Sequence, residues 1–120
     1  MDSFDDIKVG MTSQRLVTVE KKHTTSHTKV AILSTPRMIA LMENVSSTLV
    51  QPLLPSDFTT VGFEVHVKHK APSKLGSEIL VSSEVLEVDG RKLLFEVRVQ
   101  EGEKIIGEGL HRRTIIPIPG

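Results

Sequence analysis

One amphipathic helix followed by alternating, strand-like segments constrains the fold of this chain more than any other feature. The apolar residues before the strands recur at helical spacing, at Met38, Leu41, Met42, Val45 and Leu49. This spacing predicts a helix of about four turns with one apolar face. We expect Thr35 to cap the helix and Pro36 to take its first position, where a missing N–H costs nothing. Pro52 and Pro55 predict its end.

After the helix, apolar and polar residues alternate as they do in half-buried β-strands. The first such segment is predicted to place on its inner face Val61, Phe63, Val65, Val67, His69 and Ala71. Two further strands, Ile79–Val88 and the segment with Leu93, Phe95, Val97 and Val99, are joined by the hairpin turn Asp89-Gly90. A phase slip near Val85-Leu86 predicts a bulge. With Ile105–Ile116, these segments predict four strands in an antiparallel meander.

A shorter strand, Leu16–Val19, precedes the helix, so the predicted class is α+β, with one sheet around one long helix. In the last strand, Gly107 and Gly109 leave one face without side chains, which predicts the close approach of another backbone. Residues 1–14 are expected to form a polar lead-in to a single domain that spans residues 1–120.

Composition excludes several classes of function. The 15 basic and 15 acidic residues cancel, so neither nucleic acid nor a membrane surface is an expected partner. Cysteine is absent, which excludes a thiolate metal site and a cysteine nucleophile and fits a cytoplasmic location. The acidic N-terminus does not resemble a signal peptide. No apolar run approaches the roughly 20 residues that span a bilayer.

Thr35, Glu43 and His69 are the candidate catalytic residues, because a hydroxyl, a carboxylate and an imidazole at one end of a helix-on-sheet packing suit acyl transfer. Each also has a structural interpretation. Thr35 is a good helix cap in any protein, Glu43 lies at the edge of the apolar stripe, and His69 could be a core histidine with satisfied hydrogen bonds.

No cofactor or metal is expected. His23 and His27 are four residues apart, but no third ligand accompanies them. The sequence has no glycine-rich phosphate loop and no nucleotide fingerprint.

Four segments carry a resemblance to a known family: Leu41-Met42-Glu43, Val67-Lys68-His69-Lys70-Ala71, Val88-Asp89-Gly90-Arg91, and Gly107-Glu108-Gly109-Leu110-His111-Arg112-Arg113. Over Leu33–Ile116 the chain resembles the hotdog fold, in which a curved antiparallel sheet wraps a long central helix. Within that fold it is similar to the fluoroacetyl-CoA thioesterase-like family.

The resemblance implies which residues act. The family's catalytic threonine, glutamate and histidine fall on Thr35, Glu43 and His69, and two acyl-pocket positions fall on Gly62 and Arg113. Coenzyme A has phosphates that basic side chains could bind. The candidates, near the end of the strand that contains His69, are Lys68, Lys70 and Arg112. A homodimer or a higher homo-oligomer is implied, with the sites at the subunit junction.

The implied function is hydrolysis of a short-chain acyl-CoA thioester to the free acid and coenzyme A. Two alternatives stay open: a non-catalytic acyl-CoA binding module, and a hydratase or dehydratase of the same fold. No aspartate lies near His69, which disfavours the second alternative. The family's aromatic lid corresponds here to His23–Leu33, which is shorter and has no aromatic residue, so we expect little preference for fluoroacetyl over acetyl groups.

Overall fold

The computed structural model describes residues 4–120 and contains one long helix and one five-stranded antiparallel sheet. The elements are β1 (Thr12–Thr18), α1 (Thr35–Val50), β2 (Phe58–His69), β3 (Glu78–Asp89), β4 (Lys92–Glu101) and β5 (Lys104–Pro117). Two short 3-10 turns, Lys21–His23 and Gln51–Leu53, flank α1 in sequence. The predicted α+β class is therefore confirmed. No helix among residues 4–120 is long and apolar enough to cross a membrane.

Helix α1 begins one residue earlier than a threonine cap would allow. Ser34 is the N-cap, and its side chain accepts a hydrogen bond of 3.3 Å from the backbone N–H of Arg37. Thr35 is thus the first helical residue, and the prediction that it caps the helix is wrong. Because serine satisfies the helix end, the hydroxyl of Thr35 is free to bind another partner.

The apolar stripe of α1 packs on the sheet. Its buried residues are Met38, Leu41, Met42, Val45, Ser46 and Val50. Ser46 is the polar member of this group, and its hydroxyl donates to the Met42 carbonyl and lies 2.8 Å from the hydroxyl of Ser83 on β3. A buried hydroxyl needs such a partner, so this contact fixes which face of α1 meets the sheet.

The order of the strands differs from the predicted meander. The sheet runs β1-β3-β4-β5-β2, so β3, β4 and β5 form a meander while β2 pairs with β5 at the far edge. Alternation of apolar and polar residues identifies a strand but not its neighbours in the sheet. The structure shows why β5 has glycines: a side chain at Gly109 would meet the backbone carbonyl of His66 and the Cα of Val67 on β2. The predicted close approach is confirmed, and β2 is the strand that approaches.

A bulge between Gly62 and Glu64 changes which face of β2 points inward. Before the bulge, the residues that share the inner face of the sheet are Phe58, Thr60 and Gly62, and after it they are Val65, Val67 and His69. The prediction that Val61 and Phe63 point inward is therefore wrong, and their side chains are 41% and 51% exposed. A second bulge, between Val85 and Glu87, lies where the sequence predicted one.

The core lies between α1 and the inner face of the central strands. Its β4 residues are Leu93, Phe95, Val97 and Val99, all buried as predicted. The expected polar lead-in is partly wrong, since β1 begins within it and Phe4 and Ile7 are buried. The Phe4 ring meets the Phe58 ring edge-on at 5.3 Å between centroids. Residues 1–3 of the lead-in lie outside the described residues.

We expect Gly109→Ala to destabilise the protein by about 2 kcal/mol, the scale of an overpacked core, because the new methyl group meets the backbone of β2. Gly107→Ala is the matched control: its methyl group would chiefly meet the flexible side chain of Met38. Urea unfolding at one fixed protein concentration measures both variants. Equal losses of stability would show that Gly109 is not what allows β2 to approach β5.

Candidate active site

Thr35 and His69 form the centre of the candidate site. The hydroxyl oxygen of Thr35 lies 2.8 Å from Nδ1 of His69. The first residue of α1 and the last residue of β2 thus meet, although 34 positions separate them in the sequence. A hydroxyl within hydrogen-bond distance of an imidazole is the arrangement of a nucleophile and its general base.

The surroundings of His69 favour its neutral form. Partial burial lowers the pKa of His69 below its ordinary value of 6.5, and a hydrogen bond to the backbone of Ala71 opposes the shift only in part. A neutral imidazole can accept a proton at neutral pH. The second ring nitrogen, Nε2, is buried and has no hydrogen-bond partner among residues 4–120.

A cleft of about 300 Å³ opens beside this pair. Its lining residues are Ile32, Thr35, His69, Lys70, Ala71 and Pro72. Most of them come from the end of β2 and the turn after it, and Thr35 adds the start of the helix. The cleft is large enough for a small acyl group next to the hydroxyl and the imidazole.

Glu43 belongs to a second group of residues. It follows Thr35 by eight positions on α1, which is about 12 Å along the helix axis. Its carboxylate lies above Gly62: a Cβ atom on that glycine would be 2.9 Å from Oε2 of Glu43 and 2.8 Å from Cε1 of His111. The structure therefore brings Thr35 and His69 together and places Glu43 further along the same helix.

Arg113 is the cation of this second group. It is buried, its Nε donates to the Thr60 hydroxyl at 2.8 Å, and its Nη2 donates to the Thr60 carbonyl at 3.0 Å. The third nitrogen, Nη1, lies 3.2 Å from Nε2 of His111 and 3.3 Å from a Cβ placed on Gly62. Burial lowers the pKa of Arg113, and the nearby Glu43 carboxylate opposes that shift.

The two acyl-pocket residues implied by the resemblance are thus cross-strand neighbours. Gly62 on β2 pairs directly with Arg113 on β5, on the inner face of the sheet. In the sequence, Arg113 directly follows Arg112, one of the basic candidates for binding phosphate. The structure separates the two side chains, because consecutive residues of a strand point to opposite faces and Arg112 lies on the outer one.

The remaining basic candidates differ in what they bind. Lys70 donates to Glu108 at 3.0 Å, and Nε of Arg112 donates to Glu64 at 2.9 Å. Lys68 makes no ion pair within residues 4–120. On the outer face of the sheet, a groove of about 270 Å³ is lined by His66, Lys68, Lys70, Glu108, Gly109 and Leu110. Lys70 lines both this groove and the cleft beside Thr35.

His23 has a structural contact. Its Nδ1 accepts a hydrogen bond of 2.9 Å from the backbone N–H of Glu20, which closes the short turn Lys21–His23. Within the described part of the chain, no three residues of the metal-ligating types lie close enough to hold an ion.

One helix on a five-stranded antiparallel sheet, with a hydroxyl–imidazole pair where the helix meets the edge strand, places this protein in the hotdog class. Residues 12–118 match the model of the family described as fluoroacetyl-CoA-specific thioesterase, and the chain belongs to that family. The resemblance seen in the sequence is confirmed.

Relatives agree with this placement. The fluoroacetyl-CoA thioesterase of Streptantibioticus cattleyicolor is 31% identical over 85 residues, which cover 71% of this chain and 61% of that protein. A solved structure of the fluoroacetyl-CoA thioesterase FlK superposes with a TM-score of 0.87 at 26% identity, covering 93% of this chain and 90% of that one. A hot-dog-like protein from Thermanaerovibrio acidaminovorans, at 20% identity and a TM-score of 0.89 over 98% and 90% of the two chains, shows the shared fold.

Proposed function

We propose that this protein hydrolyses short-chain acyl-CoA thioesters to the free acid and coenzyme A in the cytoplasm. The observation that carries the proposal is the 2.8 Å contact between the Thr35 hydroxyl and Nδ1 of His69 at the edge of a cleft. Membership of the thioesterase family supports the same reaction class.

In the proposed reaction, His69 acts as the general base. It takes the proton of the Thr35 hydroxyl as that oxygen attacks the thioester carbonyl. The carbon–sulfur bond then breaks, and His69 returns the proton to the sulfur of coenzyme A. Water next attacks the acyl-threonine ester while the carboxylate of Glu43 takes its proton. The bond between the acyl carbon and the Thr35 oxygen then breaks, the proton passes to that oxygen, and the acid is released with the Thr35 hydroxyl restored. The positive end of the α1 dipole stabilises the oxyanion formed in each step.

Glu43 can take part in these steps if a second copy of the chain completes the site. Strand β2 is an edge strand of 12 residues, and its exposed apolar side chains are Val61, Phe63 and Val65, each at least 40% accessible. An open apolar edge of this kind calls for a partner strand. We propose a homodimer in which the two β2 strands pair antiparallel about a two-fold axis at His66.

That pairing would complete the site across the interface. With the axis at His66 and the extra residue of the bulge between Gly62 and Glu64 left unpaired, Gly62 of one subunit would lie opposite His69 of the partner subunit. The carboxylate of Glu43 lies above Gly62. It would therefore face the Thr35–His69 pair of the other subunit, and each dimer would hold two composite sites.

The substrate is proposed to extend from this site across the end of β2. The small acyl group would lie over Gly62 and Arg113. The phosphates of coenzyme A would bind Lys68 and Lys70 on the outer face, with Arg112 nearby. The lid segment His23–Leu33 supplies no aromatic side chain to shield the acyl group, so acetyl-CoA and fluoroacetyl-CoA should differ by less than about a hundredfold in kcat/KM.

We expect His69→Ala and Glu43→Ala each to lower kcat by on the order of a hundredfold, the scale of a lost acid–base group. Thr35→Ser should lose less than Thr35→Ala because serine keeps a hydroxyl near His69. Thiol release from acetyl-, propionyl- and fluoroacetyl-CoA measures turnover, with Glu103→Ala on the β4–β5 turn as a surface carboxylate control. Acyl-CoA binding without thiol release by the wild type would identify a non-catalytic module instead.

The composite site predicts complementation between inactive variants. When Glu43→Ala and His69→Ala chains with different affinity tags are co-expressed, the mixed dimer has one site with both residues intact and one with neither. Its activity should therefore be about half that of the wild type, since two-fold symmetry gives two equivalent sites. Each variant homodimer is the control. A mixed dimer as inactive as the controls would place Glu43 and His69 of one site in the same subunit.

Lys68 is the basic candidate whose role is simplest to measure, because it makes no ion pair within residues 4–120 that a substitution would break. We expect Lys68→Ala to raise KM several-fold and to leave kcat nearly unchanged, the pattern of lost ground-state binding. Added salt should raise KM in the wild type more than in the variant. Lys8→Ala, an exposed lysine just before β1 at the opposite edge of the sheet, is the control. If neither the substitution nor added salt changes KM, Lys68 is an exposed surface residue that does not bind coenzyme A.

A further inference from the structure

His111 is the least accessible ionisable residue among those that surround Glu43. It lies on the inner face of β5 with 1% of its surface exposed. Its ring stacks on that of Phe95 on β4 at 6.3 Å between centroids. Nδ1 lies 2.9 Å from the backbone carbonyl of Glu64, and Nε2 lies 3.2 Å from Nη1 of Arg113. Both ring nitrogens are thus engaged.

These two partners determine where the proton of the imidazole resides. A carbonyl oxygen can only accept, so Nδ1 must carry a hydrogen and donate it to Glu64. A guanidinium can only donate, so Nε2 must be unprotonated and accept from Arg113. Both hydrogen bonds exist together only in the neutral Nδ1–H tautomer, and a second proton on the ring would point at the cation.

We propose that His111 is a positioning residue of this site, whose neutral imidazole holds the Arg113 guanidinium beside the carboxylate of Glu43. The inference rests on the proposed function, because it assigns His111 a role in that reaction. His111 acts through Arg113 and leaves the bond-making steps to Thr35, His69 and Glu43.

The surroundings of His111 on every packed element agree with this role. Glu43 approaches from α1, Gly62 and the Glu64 carbonyl from β2, Phe95 from β4, and Arg113 from β5. Burial is the main cause that lowers the pKa of His111; the hydrogen bond to Glu64 opposes it, Arg113 adds to it, and Glu43 opposes it. The imidazole therefore stays uncharged at neutral pH and remains an acceptor.

The bulge in β2 makes the contact available. Between Gly62 and Glu64 the ladder shifts by one residue, and the carbonyl of Glu64 is the group that meets Nδ1 of His111. The absence of a side chain at Gly62 leaves the space into which the edge of the His111 ring and the Glu43 carboxylate project. The bulge thus brings the Glu64 carbonyl to the imidazole and places Gly62 beside both His111 and Glu43.

Two substitutions separate positioning from packing. His111→Leu fills the buried space without an acceptor for Arg113, and we expect kcat to fall on the order of tenfold or more, as for a displaced catalytic group, with KM changed less than about threefold. His111→Gln keeps an oxygen near Nε2 and should recover most of that loss. If the two variants are equally impaired at equal stability in urea, or if His111→Leu keeps the wild-type kcat, the positioning role is wrong.

A second measurement needs no substrate. In a long-range ¹H–¹⁵N correlation spectrum of the wild-type protein, the His111 ring, assigned by its absence in His111→Gln, should show the neutral Nδ1–H tautomer at pH 6.5, its ordinary pKa. An Nε2–H tautomer or a protonated ring at that pH would overturn the inference. Failure of the proposed function is distinguishable, since it would appear as a wild-type protein with this tautomer and no thiol release.

Discussion

The close pairing of β2 with β5 is the interaction on which the candidate site depends. It is allowed by Gly109, which leaves room for the backbone of β2 where any side chain would collide. The same ladder aligns His69 with Gly107 and Gly62 with Arg113. Every strand residue of the candidate site therefore takes its position from this one register.

Helix α1 supplies the remaining groups, and its rotation is set by what it buries. The apolar stripe from Met38 to Val50 faces the sheet, and the Ser46–Ser83 contact fixes the rotation with a hydrogen bond at 2.8 Å. Thr35 and Glu43 lie on the flank of that stripe, so both side chains reach the sheet near β2. Because Ser34 takes over the capping role, the threonine hydroxyl is left to bind His69.

Much of this arrangement could be predicted from the sequence, because short-range periodicity reports short-range structure. The helix, the β3 bulge and the buried face of β4 all follow from the spacing of apolar residues. The neighbour of β2 could not be read this way, since alternation is the same whichever strand lies beside it. The change of face at the Gly62–Glu64 bulge could not be read either, because Val61, Phe63 and Val65 continue the alternation through it and suggest one uninterrupted inner face. The residue types of the site could be recognised in the sequence. Their separation into two groups, Thr35 with His69 and Glu43 near Gly62, could not, because it depends on the distance along α1 and on which β2 residues face inward.

The unpaired edge of β2 and the separation of Glu43 from Thr35 and His69 involve the same part of the structure. The exposed apolar residues of β2 lie around and between Gly62 and His69, the two positions above which the separate groups assemble. Eight residues separate Thr35 from Glu43, which is about 12 Å along the axis of α1. The proposed two-fold pairing of β2 would cover the apolar edge. It would also bring Glu43 of one subunit to face Thr35 and His69 of the other. The dimer contact and the assembly of the site would then have a single structural origin in the exposed segment of β2. In such a dimer, Phe63 and Val65 would support catalysis without contacting the substrate, because they would form the interface across which Glu43 of one subunit faces the hydroxyl–imidazole pair of the other.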